Sequence, residues 1–209
     1  NNIMYESPKA KALRLDELST VEQPFLAQLK EIGWEVFALN EANHVNDPGN
    51  SFRKSLKEVI LKDKLIESLE KINPFLKDQT DQLEQVIRKL TTDLPGDLLL
   101  ANEQVLDLLI TNTKVSENRI DKTPNPVVKF IDFEVLKNNS FIAISQFKVA
   151  IPGTDAYIKP DIVLFINGLP ICVIECKSTK VEEPAEEAID QMLRYANLRN
   201  TSEVEGNQR

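Results

Sequence analysis

The chain has 209 residues, of which 42% are hydrophobic and 28% charged, so it is long enough for one globular domain with a sizeable core. Its formal net charge of −8 excludes a protein that coats DNA by electrostatics alone, because that binding depends on cations that neutralise phosphates. No apolar run is long enough to span a bilayer, and the first residues lack the basic-then-apolar pattern of a signal peptide. We therefore expect no membrane partner and a cytoplasmic location.

Several chemistries are excluded by counting residues. His44 is the only histidine, which argues against a histidine base or a histidine metal cluster. The six glycines form neither a GxGxxG nor a GxxxxGK pattern, so no phosphate-cradling loop is predicted. Cys172 and Cys176 lie about 13 Å apart along a predicted strand, too far for a disulfide, and we expect both to be buried. Carboxylates remain as the metal ligands to consider.

The first half of the chain reads as mainly helical. Ser19 with Glu22 three residues later predicts a capping box at the start of a helix, which an apolar stripe continues as far as Gly33. A short strand is predicted over residues 34–39. Residues 51–113 then show helical spacing throughout, interrupted at prolines, and form a predicted helical block.

The second half changes to a strand pattern. Strands are predicted over residues 127–136, 141–151, 161–166 and 171–177, and the last two are joined around Asn167-Gly168. The last two strands have apolar residues on both faces, so we expect other parts of the protein to cover both sides of this part of the sheet. A final helix is predicted from Pro184 to about Leu198.

The pattern with chemical content is Asp161 followed by Glu175-Cys176-Lys177. Residues two apart on a strand face the same side, so Glu175 and Lys177 point together. A two-residue Asn167-Gly168 loop would turn Asp161 away from Glu175, whereas one additional residue in the loop, or a bulge, would bring the two opposite each other. We predict the second register.

Two converging carboxylates form an oxygen site suited to Mg²⁺, which keeps positions for water and a substrate phosphate. The metal would polarise the phosphoryl group and lower the pKa of a bound water, and Lys177 would orient that water or neutralise transition-state charge. The site thus indicates phosphodiester hydrolysis. The plainer interpretation is that acidic residues simply flank a strand where it meets solvent, since such a spacing also arises by chance.

The helix after this pattern carries Gln191 and Tyr195 on one face at i, i+4 spacing. Without the preceding acidic pattern, these two residues would be read as an ordinary helix rim.

Together these motifs resemble a known superfamily. Asp161 with Glu175-Cys176-Lys177 is similar to the catalytic motif of PD-(D/E)xK nucleases, and Gln191 to Tyr195 resembles the QxxxY motif of its RecB-like branch. The wider sequence, above all residues 160–177, resembles the N-terminal nuclease domain of the restriction (motor) subunit of type I restriction enzymes, over residues 19–198.

The resemblance implies a fold and a set of roles. The fold would be α/β (α+β), a central mixed sheet of the restriction-endonuclease type flanked by helices, with block 51–113 inserted before the catalytic sheet and helix of residues 127–198. Residues 1–209 would form a single nuclease domain of a longer chain. The catalytic positions would be Asp161, Glu175 and Lys177, with Mg²⁺ as cofactor bound by Asp161 and Glu175.

Further roles follow from the same resemblance. Glu22 would add to the metal shell, although its predicted capping role explains it equally well. Gln191 and Tyr195 would position DNA or the site. Lys159 would contact a phosphate of the DNA. The alternative is that Lys159 only contacts solvent, as an exposed lysine beside a strand usually does.

The partners implied are double-stranded DNA and the methylation and specificity subunits of a type I complex. ATP would be used by translocase domains elsewhere in the full-length subunit, which would deliver DNA to an acidic nuclease that cuts poorly alone. Two alternatives remain: a nuclease fold that docks without cutting, and a stand-alone repair nuclease of the same superfamily.

Overall fold

The computed structural model describes residues 17–39, 45–178, 180 and 184–199. These residues divide into two compact units. The first unit contains the described residues up to Val59, together with 141–165 and those from 170 onward. The second contains residues 60–140 and 166–169. The expectation that all 209 residues act as one nuclease domain stays a prediction.

The main sheet has four strands in the order β1-β4-β7-β8, in which β1 is Glu35–Phe37, β4 is Phe141–Ser145, β7 is Ile162–Ile166 and β8 is Leu169–Ile174. Strand β1 runs parallel to β4, with Val36 opposite Ala143. Strands β7 and β8 follow each other through a two-residue turn, which only antiparallel strands can use. The sheet is therefore mixed, as expected.

Helix α1, Gln23–Glu31, packs on this sheet. It ends before Gly33, whose φ of 97° is a conformation that glycine adopts readily. The contact is an apolar cluster that both elements share, consisting of Leu26, Leu29, Ala143, Ile162 and Cys176. The first strand predicted after this helix is confirmed, although it is shorter than residues 34–39.

The second unit is helical, with three α-helices: α2 at Lys62–Ile72, α3 at Thr80–Lys89 and α4 at Leu98–Thr111. A short antiparallel pair follows, β2 at Thr113–Lys114 and β3 at Val127–Val128. The buried core of this unit is aliphatic and aromatic and includes Leu65, Leu69, Val86, Val128 and Phe130. The helical block is thus confirmed over residues 62–111, but residues 52–61 are not helical.

Two further predicted strands are much too long, and the strand predicted over residues 171–177 is instead β8, Leu169–Ile174. Residues 127–136 hold only β3, because the chain then bends, and a 3-10 turn follows at Leu136–Asn138. The strand predicted over 141–151 is interrupted at Gln146, whose φ of 52° is left-handed. It resumes as β5, Val149–Ala150, which pairs with β6, Tyr157–Ile158. An apolar alternation does not reveal such an interruption.

Strand β8 is the last strand of the described sheet, and its residues 170–173 are exposed. Cys172 is therefore exposed, whereas Cys176 is buried, and both are free thiols. The expectation that β8 is covered on both faces, and that Cys172 is buried, is wrong. The cause is the position of β8 at the sheet edge, where Pro170 is also tolerated.

The final helix, α5, extends over Pro184–Arg199 and confirms the prediction. Within the described part of the chain, no helix is both long and apolar enough to cross a membrane. His44 lies outside the described residues.

The turn between β7 and β8 is a tight one with φ of 54° at Asn167 and 81° at Gly168, which is the type I′ pattern. The Asn167 side chain is fully buried and donates to the Phe130 carbonyl and the Asn139 amide oxygen, each at 2.8 Å. A Cβ on Gly168 would lie 2.6 Å from the Leu61 carbonyl oxygen. Only glycine fits there.

We expect Gly168→Ala to destabilise the protein by about 2 kcal/mol or more, because it adds a backbone clash to the cost of a left-handed alanine. Gly153→Ala is the matched control, since Gly153 also has a positive φ, of 76°, but nothing lies within 4 Å of its Cβ position. The control should cost only about 1 kcal/mol. Thermal and urea unfolding followed by circular dichroism measure both, and equal losses would contradict the role of the close approach.

Candidate active site

The chain enters the site through a π-helical turn, Leu18–Glu22, that leads directly into α1. Pro24 has no N–H, so the α-helical bond to the carbonyl four residues earlier cannot form, and the turn widens. Ser19 lies inside this turn and does not precede the helix, so the predicted capping box is wrong. Glu22 is instead directed inward and only 3% exposed.

Gln146 connects Glu22 to Asp161. Its side-chain Nε2 donates to Glu22 Oε2 at 3.0 Å and to Asp161 Oδ1 at 3.2 Å. Its backbone N–H also donates to the Asp161 carbonyl at 2.7 Å. Gln146 was not among the site residues expected from the sequence. The only feature in the sequence that could have indicated its role is that Gln146 is an amide residue among the apolar residues of the strand predicted over 141–151.

Asp161 and Glu175 come together, but by a different route from the predicted register. The loop between their strands has only the two residues Asn167 and Gly168, so the predicted extra residue is absent. Asp161 precedes β7, and Glu175 follows β8, so neither residue is bound by the strict alternation of a strand. Asp161 Oδ2 accepts the backbone N–H of Cys176 at 2.8 Å, which fixes the end of β8 beside it.

The carboxylates of this cluster are desolvated. Both Glu175 oxygens and Glu22 Oε1 are buried and have no hydrogen-bond partner of good geometry. Burial, and then the negative charge of Asp161, raise the pKa of Glu175 to about 8, against the opposing effect of Lys177. Burial and Asp161 likewise raise the pKa of Glu22 to about 7. A nearby cation would oppose both shifts, because it favours the ionised carboxylates.

A chain of hydrogen bonds holds Lys177. Its Nζ donates to Gln191 Oε1 at 2.6 Å, and Gln191 Nε2 donates to the Tyr195 hydroxyl at 2.8 Å. That hydroxyl in turn donates to the Lys159 carbonyl at 3.3 Å. Burial raises the pKa of Tyr195 to about 12, so the hydroxyl stays protonated. The predicted shared face of Gln191 and Tyr195 is confirmed, and the two are more than a helix rim.

Several of these side chains line a cavity of about 260 Å³, although Glu175 and Tyr195 are not among its lining residues. Its polar lining consists of Glu17, Glu22, Gln146, Lys159, Asp161, Lys177 and Gln191. Glu17, which sequence reasoning also missed, accepts the Ser178 backbone N–H at 3.1 Å and so fixes the segment after Lys177. A water molecule occupies about 30 Å³ in the liquid, so the cavity has room for a hydrated cation or a phosphate group.

The donor set fits a hard cation with two protein ligands. The unpartnered Glu175 oxygens adjoin Asp161, and Mg²⁺ is commonly held by one or two carboxylates with waters and phosphates. In the part of the chain that the structure describes, no group of three or more His, Cys, Asp or Glu side chains converges on a metal position. Glu22 is linked to Asp161 through the Gln146 amide, and its role as a ligand stays a prediction.

Cys176 does not supply a nucleophile to this site. It is buried in the apolar cluster under the sheet, and burial raises the pKa of its thiol to about 12. A thiol with that pKa is almost entirely protonated at neutral pH.

Residues 14–208 match the family described as type I restriction enzyme R protein N terminus. The "Type I restriction enzyme HindI endonuclease subunit" of Haemophilus influenzae is 30% identical over 175 residues, covering 84% of this chain and 16% of that protein. The "Putative type I restriction enzyme MjaIXP endonuclease subunit" of Methanocaldococcus jannaschii is 29% identical over 202 residues, covering 91% of this chain and 19% of that protein.

The chain thus spans less than a fifth of the length of these two relatives. Its similarity to the family extends over nearly all of its own residues, from the π-helical turn to the end of α5. The chain therefore belongs to the family of type I restriction enzyme R protein N-terminal regions.

Proposed function

We propose that this chain is the Mg²⁺-dependent nuclease domain of a type I restriction enzyme and hydrolyses DNA phosphodiester bonds. The observation that carries the proposal is the pair of adjacent carboxylates, Asp161 and Glu175, in which the buried Glu175 oxygens lack partners. Burying a negative charge without a partner is costly, so such a pair is suited to a bound cation. The relatives are named endonuclease subunits, which favours a nuclease over a docking module.

Asp161 and Glu175 would hold the ion. When bound, Mg²⁺ supplies a Lewis acid that withdraws charge from the phosphoryl group and lowers the pKa of a coordinated water. Asp161 is the better fixed of the two carboxylates, because it accepts from Cys176 N–H and Gln146 Nε2. It thus reaches the reaction without a large rearrangement.

Lys177 would bind the phosphate at the site. An ammonium has three N–H donors, and the bond to Gln191 uses one, so donors remain for an oxygen of the substrate. The charge would stabilise the negative phosphoryl oxygens as water attacks phosphorus and the bond to the leaving oxygen breaks. Gln191 and Tyr195 would act as positioning residues, since Gln191 holds the Lys177 head group and the Tyr195 hydroxyl holds Gln191.

The wider assembly is part of the same proposal. The two relatives are more than five times as long as the matched region, so most of such a protein lies outside this chain. ATP-driven translocation by other domains, and the methylation and specificity subunits, would bring DNA to this site. A chain of net charge −8 would then depend on delivery of its substrate more than on its own affinity.

We expect Asp161→Asn and Glu175→Gln each to abolish measurable Mg²⁺ binding in isothermal titration calorimetry, because each removes one of two anionic ligands. Glu31→Gln is the matched control, since it removes the same charge from an exposed position at the end of α1. DNA cleavage by the assembled enzyme should fall at least 100-fold in the two site variants only. Binding that persists in both site variants would overturn the metal site and favour a docking module.

We expect Lys177→Ala to lower the cleavage rate by about 100-fold to 1,000-fold while Mg²⁺ binding is kept, because it removes transition-state charge stabilisation and no metal ligand. Lys30→Ala, at an exposed position in the last turn of α1, is the control for loss of a lysine. Single-turnover cleavage with the assembled enzyme measures the effect. Loss of Mg²⁺ affinity in Lys177→Ala would indicate a structural role for this lysine.

Mg²⁺ affinity should rise with pH between about 6 and 8. The pKa values of Glu22 and Glu175 are raised to about 7 and about 8, so a proton must leave before the ion binds. Each displaced proton contributes up to about tenfold per pH unit. Calorimetry in buffers of different ionisation enthalpy counts the protons released, and a release of none would contradict the assignment.

The same shifts predict the stability of the metal-free protein. Folding favours the protonated form of an acid whose pKa is raised, so this stabilisation is present below about pH 4.5 and is lost as the pH rises towards 8. Relative to the wild type, Glu175→Gln should therefore be increasingly stabilised from pH 5 to 8. Differential scanning fluorimetry without divalent ions tests this, and a constant difference between the two proteins would refute it.

A further inference from the structure

The β5–β6 hairpin adjoins the carboxylate site and presents a basic face. The register pairs Val149 with Ile158 and Ala150 with Tyr157, so Lys148 lies directly opposite Lys159. The same ladder continues toward the site, because Phe147 N–H donates to the Pro160 carbonyl at 3.1 Å. The next opposed pair is Gln146 and Asp161.

The two sides of this hairpin differ in exposure. Val149 and Ile158 are 3% and 6% exposed, whereas Tyr157 is 53% exposed. Lys148 and Lys159 are half-buried and alternate with the buried positions. We call the outward side, formed by Lys148, Ala150, Tyr157 and Lys159, the hairpin face.

Two like charges directly opposite each other destabilise a strand pair. Burial, and then the charge of Lys159, lower the pKa of Lys148. Lys148 Nζ donates to the Asn46 side-chain oxygen at 2.5 Å and lies 3.7 Å from the centre of the Tyr157 ring, and neither contact supplies a full negative charge. Among the described residues, neither lysine forms an ion pair with a carboxylate. Neither lysine thus has a carboxylate within ion-pair distance in the described part of the chain, although the charge of Lys159 acts on Glu22. An anion between the two ammonium groups would relieve their repulsion.

We propose that the hairpin face binds the DNA backbone, with the opposed lysines Lys148 and Lys159 contacting a phosphate that neighbours the one at the carboxylate site. This inference rests on the proposed nuclease function and extends it to a substrate-binding surface. A phosphate between the two ammonium groups replaces repulsion by two charge-assisted hydrogen bonds.

Position supports this assignment. The lysine pair lies two residues along the ladder from Gln146 and Asp161, which is about 7 Å. Lys159 also lines the same cavity as Asp161 and Lys177. A nucleic-acid strand with one phosphate at the carboxylates would thus pass over the hairpin face. The exposed Tyr157 ring offers it an aromatic surface for packing against a sugar or base.

The test is duplex DNA binding by this chain, followed by fluorescence anisotropy over a series of salt concentrations without divalent ions, so that no cleavage occurs. Lys148→Gln and Lys159→Gln should each weaken binding about 3-fold to 10-fold at low salt. Each should also reduce the slope of log K against log salt by about 1, the signature of one lost phosphate contact. Lys30→Gln, which removes the same charge outside the cavity lining, should change neither quantity. Lys148→Arg should restore both quantities, because arginine keeps the charge.

A second measurement tests the repulsion in the protein without DNA. Lys148→Gln also loses the Asn46 hydrogen bond and the contact with the Tyr157 ring, so the quantity to measure is the coupling between the two changes. The change in thermal midpoint of the double variant should be less favourable than the sum of the two single changes, since either change relieves the same pair. Additive effects would overturn the opposed-charge argument.

The outcomes separate this inference from the proposed function. Lysine variants that match Lys30→Gln in affinity and salt slope, or a wild-type chain with no salt-dependent binding, would overturn the hairpin face. Mg²⁺ binding by Lys148→Gln should equal that of the wild type. If the lysine variants lose phosphate contacts while Asp161→Asn and Glu175→Gln still bind Mg²⁺, the hairpin face stands and the proposed metal site falls.

Discussion

The arrangement of the site depends on one residue, Gln146, which directly follows the end of β4 and whose backbone adopts a left-handed conformation. Its backbone N–H keeps the ladder bond to the Asp161 carbonyl, while its side-chain amide donates to the carboxylates of Asp161 and Glu22. A left-handed backbone at a non-glycine residue costs roughly 1–2 kcal/mol. Hydrogen bonds to charged groups are worth about 1.5–3 kcal/mol each, which is enough to offset that cost. Asp161 is thereby fixed, and through its bond to Cys176 N–H it fixes the end of β8.

The second constraint is electrostatic. The site concentrates carboxylates that burial and mutual repulsion drive towards their protonated forms, with pKa values near 7 and 8 for Glu22 and Glu175. Such a cluster is poorly stable without a cation and becomes complementary to one when it ionises. The proposed action on DNA does not require a basic chain, because the proposed ion and the neighbouring lysines reverse the sign of charge locally. The net charge of −8 describes the whole molecule and not the field at the cavity.

A third feature is how the site uses separate elements. Helix α5 supplies Gln191 and Tyr195, which hold the Lys177 head group and reach the carbonyl of Lys159. The hydrogen-bond chain therefore joins the helix to both segments that carry the proposed catalytic residues, the one before β7 and the one after β8. Residues far apart in sequence thus share one hydrogen-bonded frame, in which each polar group restricts the rotamer of the next.

The sequence by itself determined the chemical types and most of the elements. The presence of two carboxylates and a lysine at Asp161, Glu175 and Lys177 can be read from the sequence. The shared face of Gln191 and Tyr195 follows from the helix period. Only the tertiary structure decided how the carboxylates meet. With the two-residue turn at Asn167 and Gly168, strict strand alternation would turn Asp161 away from Glu175. The two carboxylates nevertheless meet, because Asp161 precedes β7 and Glu175 follows β8, where alternation no longer applies. Likewise, Ser19 fits a capping box in sequence, but it lies within a π-helical turn whose last residue, Glu22, is buried and accepts a hydrogen bond from Gln146. The interruption at Gln146 and the exposure of Cys172 also depend on long-range pairing and on the sheet edge, which no local pattern encodes.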